Sequence, residues 1–269
     1  MSVKSGLWQN HVVLIVTGAS KGFGKAIVSQ FIKSFHEYHG KERNTDYEMK
    51  VVLSARDEEG LKSFINEVQT TGNNLTRLEQ VIGSMEDEST MNKFKSAFRS
   101  VLPGTDQVFL VHNAGSLGDP TKLVDDYGPE ETSSLNLYFA ANVTSMITLT
   151  GLFLKIFEPV RSKTIVNVSS LAAVSPLKGL SIYCTGKAGR DAYMRSVASE
   201  VPNVRVINYA PGPLKTAMAE ELRTKSYMKE FFQDPNNILD PDDSAQKLLS
   251  IMTKDSFLNG SHVDYYDPL

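Results

Sequence analysis

Five apolar residues, "VVLIV" (12–16), run straight into the turn "TGASKGFG" (17–24) and from there into a helical pattern. A β-branched run without alternation reads as a strand covered on both faces, as in parallel sheets. Glycines at 18, 22 and 24 allow the tight backbone angles and close ligand approach that such a turn needs. Beyond them Phe23, Ile27, Phe31, Ile32 and Phe35 recur every three or four positions, the spacing of an amphipathic helix. Strand, glycine turn and helix in immediate succession leave few folds open.

The pattern repeats along the chain. "VVLSA" (51–55), "VFLVH" (108–112), "TIVNVSS" (164–170) and "VRVINY" (204–209) read as further strands, with "LEQVIGS" (78–84) a weaker one and "SHVDYYD" (261–267) a late one. Segments 57–69, 86–101, 133–158 and 184–200 read as helices. Alternation of this kind predicts an α/β fold, a Rossmann-type doubly wound parallel sheet flanked by helices on both faces. Nothing between them reads as a linker, so 1–269 is expected to be a single domain. The polar stretch 36–50 is expected to be a surface insertion after the first helix. Segment 213–240 breaks the rhythm just after a strand, as lids and binding loops do.

Composition excludes several classes. A formal net charge of −3 gives no reason to expect a nucleic-acid partner. A single cysteine, Cys184, excludes an internal disulfide framework and a multi-cysteine metal site. The five-residue run near the start is shorter than the roughly 7–15 residues of a signal peptide's apolar region. No apolar run approaches the roughly 20 residues of a membrane span. A soluble cytoplasmic protein without a membrane partner is expected.

The turn at 17–24 offers helix N–H groups and a positive dipole end to a phosphate. Its spacing is neither G-x-G-x-x-G nor a P-loop, and a turn that merely needs glycine is the competing account. NAD sites usually place an acid at the end of the second strand. Here that strand ends on Arg56, with Asp57 only after it, and Lys21 lies in the turn. Two cations suit the 2′-phosphate of NADP; the plainer account is that Arg56 caps a helix or pairs on the surface.

"YCTGK" (183–187) sets a phenol, Tyr183, four positions from an ammonium, Lys187. On a helix these share a face. A free tyrosine has a pKa of about 10. A positive charge held nearby favours the phenolate, so the pair is expected to make an acid–base group that works near neutrality. Chance spacing on a solvated helix face explains most such pairs, so the remaining motifs decide. "HNAG" (112–115), "NVSS" (167–170) and "NYAPGPL" (208–214) all close strands, and "NVTS" (142–145) lies on the helix after the fourth. Carboxyl ends of strands are where open α/β sheets bind ligands.

Together these motifs resemble the short-chain dehydrogenase/reductase family from Val12 to about Asp267. The resemblance implies a catalytic set of Asn142, Ser170, Tyr183 and Lys187. It implies NADPH/NADP+ as cofactor, held by Gly18, Ser20, Lys21, Gly22, Phe23, Gly24, Arg56, Asn113, Ala114, Gly115, Tyr183, Lys187, Pro211, Gly212, Leu214 and Thr216. Alone, Ser170 would be a cap hydroxyl and Asn142 a structural amide; their joint placement favours the catalytic reading.

"NAGSLGD", "YCTGKAGRD", "PNVRVINYAPGPLKT", "SAQKLLSIM" and "GSHVDYYD" resemble more narrowly the sepiapterin reductase branch of that family. That likeness implies reduction of pterin side-chain carbonyls: sepiapterin to dihydrobiopterin, and 6-pyruvoyl-tetrahydropterin to tetrahydrobiopterin. The substrate would be bound by Ser170, Tyr183, Gly212 and Asp264. Asp264 would accept two hydrogen bonds from the pterin ring, sharing a strand face with His262 and Tyr266; a solvated tail is the bland alternative. A homodimer through 133–158 and 184–200 is also implied.

Three positions depart from the pattern: His112 stands where asparagine is usual, Ser84 where an aspartate meets adenine, and Lys215 where an acid is usual. Cys184 is expected to be a packing residue. Met218, Met228, Phe231 and Phe232 would cover a flat heterocycle or fill core. The competing functions are a broad-specificity NADPH carbonyl reductase and a non-catalytic dinucleotide sensor.

Overall fold

A computed structural model describes residues 7–42, 46–70 and 76–268. Its strands are β1 (His11–Thr17), β2 (Glu48–Ala55), β3 (Thr76–Ile82), β4 (Gln107–His112), β5 (Ser162–Val168), β6 (Val204–Ala210) and β7 (His262–Asp264). They form one seven-stranded sheet in the order β3-β2-β1-β4-β5-β6-β7, and every pair is parallel. The helices are α1 (Gly22–Glu42), α2 (Glu58–Thr70), α3 (Glu88–Val101), α4 (Thr132–Phe139), α5 (Ser145–Ile156), α6 (Ser181–Glu200), α7 (Ala217–Lys225), α8 (Lys229–Gln233) and α9 (Pro241–Lys254).

Alternation along β1 explains the two layers. Val12, Leu14 and Val16 pack with Phe31 and Phe35 of α1, Phe64 of α2 and Leu248 of α9. Val13 and Ile15 face the other way, onto Phe94 and Phe98 of α3, Leu149 and Phe153 of α5, and Met194 of α6. Successive strand residues point to opposite faces, so an all-apolar strand requires helices on both sides. The doubly wound sheet expected from the sequence is therefore present. Strand order reverses between β1 and β4, and the carboxyl ends on either side of that switch border the crevice where such sheets bind ligands.

Several local expectations are corrected. Residues 36–42 are not a surface insertion but the last two turns of α1. His39 is buried there, stacked on Tyr47 at 4.6 Å, with Nε2 3.0 Å from the Gln9 carbonyl. Polar letters concealed an aromatic face; residues 43–45 of that stretch lie outside the described residues. β7 ends at Asp264. Tyr266 therefore does not share a strand face with Asp264: the Asp264 carboxylate accepts the Tyr266 N–H (3.0 Å) and turns the chain away. The expected helix 133–158 is broken by a π turn, Ala140–Thr144. Against the expectation of no such segment, Pro129–Ile156 is long and apolar enough to cross a membrane. Its residues Met146, Leu149 and Phe153 face the core, whereas Leu137 and Ile147 are exposed.

Trp8, Phe31, Phe35 and Phe109 interlock edge-to-face with ring centres 5.6–5.7 Å apart. Emptying the centre of that cluster by Phe31→Ala is expected to cost about 3–5 kcal/mol of folding free energy. Urea unfolding followed by Trp8 fluorescence measures it, and a loss below about 1 kcal/mol would show that the cluster does not hold α1 to the sheet.

Candidate active site

The glycine turn is locked before any ligand arrives. The Thr17 hydroxyl accepts the N–H groups of Asn113 (3.1 Å) and Ala114 (3.0 Å). The Asn113 amide donates to the carbonyls of Thr17 (2.9 Å) and Gly18 (3.0 Å). Asn113, expected at the cofactor, thus spends its amide donors on holding β1 to β4. Gly18 and Gly22 have φ of +68° and +57°, which side chains rarely adopt. A Cβ at Gly24 would run into the Gly18 carbonyl and the Asn113 amide. Phe23 is buried against Tyr209, with ring centres 6.3 Å apart. Ser20 is half-buried and Lys21 exposed.

Around this turn lie the other expected cofactor residues. The Ala19 N–H donates to Ser54 O (2.9 Å), tying the turn to the end of β2. Exposed Arg56 follows directly. Asp57 accepts the Gly60 N–H (3.0 Å) and so caps α2. On the other side, a Cβ at Gly22 would stand 3.3 Å from Thr216 Cγ2. Pro211 and Leu214 are buried, and Gly212 has φ +75°. The Leu239 N–H donates to Pro213 O (2.8 Å) and the Lys215 N–H to Leu239 O (2.9 Å), pinching the neck of segment 213–240.

The carboxyl end of β5 and helix α6 assemble the reactive groups. α6 starts at Ser181, so Tyr183 and Lys187 are both helical and both buried, as one face of a helix requires. Ser170 precedes a short 3-10 turn whose Ala172 N–H donates to its hydroxyl (3.2 Å). The same hydroxyl is near enough to the Tyr183 phenol to favour its ionised form. Lys187 Nζ donates to the Val168 carbonyl (2.7 Å) and lies 5.5 Å from the Tyr183 ring centre. Asn142 sits in the π turn. Its Oδ1 accepts the Ser116 N–H (2.8 Å), and its Nδ2 donates to Tyr138 O (2.8 Å) and Ser116 Oγ (3.2 Å). Exposed Gly115 lies beside it, its missing Cβ 3.4 Å from Asn142 Oδ1.

The electrostatics correct the sequence reading. Burial pushes the Tyr183 phenol up, and the Ser170 hydrogen bond followed by the Arg190 charge pulls it back. Burial, and then Arg190, hold Lys187 well below the usual lysine range, with Asp191 opposing. The phenol is therefore not turned into a phenolate by Lys187. Its protonated form is favoured, which is the form a proton donor needs.

Residues 12–226 match the short chain dehydrogenase family. The chain belongs to that family. It is 36% identical over 268 residues to a sepiapterin reductase of Meriones unguiculatus, covering 95% of this chain and 96% of the relative. It is 37% identical over 269 residues to that of Rattus norvegicus, with the same coverage. Among solved structures, the enzyme KRED1-Pglu superposes with a TM-score of 0.75 at 27% identity, covering 93% of this chain and 99% of the other.

Within this short-chain dehydrogenase, Asp264 ends β7 opposite Ala210 of β6, and Tyr209 is opposite Val168 of β5. Parallel strands lie about 4.8 Å apart. Asp264 is thus about 10 Å from the end of β5 that leads into Ser170. Met218, Met228 and Phe232 pack with Leu222 in the apolar cluster that includes Tyr183 and Cys184, whereas Phe231 is exposed. His112 is a buried neutral imidazole 2.9 Å from the Thr150 hydroxyl, held low by burial and then Arg190. Ser84 takes the Asp87 N–H on its carbonyl (3.2 Å), at the entry to α3. Sequence reasoning missed Thr17, Tyr138 and Arg190. Only the position of Arg190 two turns after Tyr183 hinted at one of them.

Gly24→Ala is expected to lower stability, because its methyl group meets the Gly18 carbonyl and the Asn113 amide, and to weaken NADPH binding at least about tenfold in the folded protein, because the turn must open to admit it. Fluorescence titration with NADPH checks it; unchanged affinity would show that the turn does not hold the phosphates.

Proposed function

We propose that this chain reduces side-chain carbonyls of pterins with NADPH, sepiapterin to dihydrobiopterin and 6-pyruvoyl-tetrahydropterin to tetrahydrobiopterin. One observation carries the reading: a buried, protonated Tyr183 near Ser170, with Lys187 one turn along the same helix, at the strand ends that flank a locked glycine turn. Near-full-length similarity to sepiapterin reductases supports the substrate class.

The cradle fits a dinucleotide. The N–H groups of the turn and of the first turn of α1 receive the pyrophosphate. Lys21 and Arg56 would face the 2′-phosphate, while Asp57 uses Oδ1 to cap α2. NADPH supplies the hydride. Tyr183 gives its proton to the carbonyl oxygen. Ser170 donates a hydrogen bond where negative charge develops on that oxygen. Lys187 holds the nicotinamide ribose, and Asn142 orients a water behind it for proton resupply. Asp264 accepts the paired donors of the pterin ring on its two carboxylate oxygens, Oδ1 accepting a second bond besides that from the Tyr266 N–H. The roughly 10 Å between Asp264 and the end of β5 suits a substrate with a bicyclic head and a carbonyl at its far end.

Residues 1–269 act as one domain, with 213–240 covering the substrate through Met218, Met228 and Phe232. Exposed Leu137 and Ile147 support a homodimer through α4, α5 and α6. The enzyme works in the cytoplasm.

Tyr183→Phe is expected to bind NADPH normally and to lose about 10²–10⁴-fold in kcat for sepiapterin. Normal turnover by that variant would end the mechanism. Asp264→Asn is expected to raise KM for sepiapterin about tenfold to a hundredfold while leaving reduction of a small diketone unchanged. Equal losses on both substrates would favour a general carbonyl reductase.

A further inference from the structure

β7 is three residues long and lies at the edge of the sheet, yet it carries Asp264. Backbone bonds join it to β6 alone. Around it the Gly260 N–H donates to Val206 O (2.8 Å), the Asn208 N–H to Ser261 O (3.0 Å) and the Tyr265 N–H to Ala210 O (2.8 Å). So short a ladder leaves the end of a strand easily displaced.

Side chains supply the missing hold. Successive strand residues alternate between faces. Val263 packs into the layer of α1 and α9, so His262 and Asp264 face the layer of α6. There His262 Nδ1 lies 2.7 Å from Oδ2 of buried Asp191. A carboxylate only accepts, so Nδ1 carries the proton. The other oxygen of Asp191 accepts Asn167 Nδ2 (2.9 Å), which also donates to Asn208 Oδ1 (2.8 Å). Asn208 Nδ2 donates in turn to Gly260 O (2.9 Å), at the entry to β7. The Ser169 hydroxyl stands 3.5 Å from the same His262 nitrogen. His262 is thus in contact with the helix that carries Tyr183 and with the residue that precedes Ser170.

The two partners extend rows that the reaction uses. Tyr183, Lys187 and Asp191 follow at intervals of four on α6 and share one face. His262 and Asp264 follow at an interval of two on β7 and share one face. The His262–Asp191 bond joins the row that carries the phenol to the row that carries the carboxylate.

We propose that His262 is a specificity-determining positioning residue: through its bond to Asp191 it holds Asp264 at the distance from Tyr183 and Ser170 that a pterin spans. The inference rests on Asp264 being the pterin anchor. A substrate long enough to reach both ends feels that distance. A small diketone, held only at the Tyr183 end, does not. No contact between His262 and substrate is required.

Steady-state kinetics with sepiapterin and with a small diketone, at saturating NADPH, test it. His262→Leu removes the donor while keeping an apolar body of similar size. It is expected to raise KM for sepiapterin about tenfold, while kcat/KM for the diketone and Kd for NADPH stay within about twofold. The amide of His262→Asn can take the place of Nδ1 as a donor to Asp191, and this variant is expected to recover most of the loss. On the Asp264→Asn background His262→Leu is expected to add nothing further, because both changes act on one contact. General damage to the fold would show neither the substrate split nor the rescue. Should His262→Leu fail to fold with Asp191 short of a partner, His262→Leu combined with Asp191→Leu removes both partners and is expected to show the same rise in KM. An unchanged KM in the folded variant, an equal loss on the diketone, or losses fully additive with Asp264→Asn overturns the inference. An unchanged KM in Asp264→Asn itself instead refutes the pterin anchor and takes the inference with it.

Discussion

Placing Lys187 inside the protein, with its nitrogen on the Val168 carbonyl, is the constraint on which the rest of the site depends. That bond fixes the first turns of α6 against the end of β5. The same contact puts the buried Tyr183 phenol near half-buried Ser170. A buried amine favours its neutral form, and so does a buried phenol. The site therefore stores a proton on the tyrosine rather than exposing a phenolate. The sheet beneath makes such burial tolerable, because its strand ends offer carbonyls that a helix face cannot supply.

Polar groups behind this pair form a continuous layer across the carboxyl ends of the strands. Thr17 and Asn113 close β1 against β4. Arg190 reaches β4 and β5, and Asp191 reaches β5 through Asn167 and β7 through His262. These links are buried or partly buried hydrogen bonds, and a buried donor or acceptor left alone would cost about 1–3 kcal/mol. The layer is satisfied only in one geometry, so it specifies the shape of the crevice as well as stabilising it. Apolar packing from both helical layers surrounds it but carries no such directional information.

The sequence made the fold legible because its signals were local and redundant. "VVLIV" must be covered on both faces, and the glycines after it must turn. Tyr183 and Lys187 stood out by spacing, and the other strand-end motifs decided the reading. What stayed hidden were effects of tertiary surroundings. His39 sits in a polar stretch, yet stacking on Tyr47 and a contact with the Gln9 carbonyl bury it. Tyr266 lies in an alternating pattern, but the Asp264 carboxylate captures its N–H and ends the strand two residues early. The direction of the Tyr183 shift was misjudged because charge was counted and burial was not. Arg190 reads on paper as one more surface charge, since nothing in its neighbours in sequence announces three carbonyl and amide acceptors converging from β4 and β5.

A crystal structure with NADP+ tests the central claim most directly. The account predicts the nicotinamide over the Tyr183 hydroxyl, the ribose hydroxyls within hydrogen-bond reach of Lys187, and the 2′-phosphate against Lys21 and Arg56. A nicotinamide bound elsewhere, or a Tyr183 hydroxyl turned away from its reacting face, would contradict it.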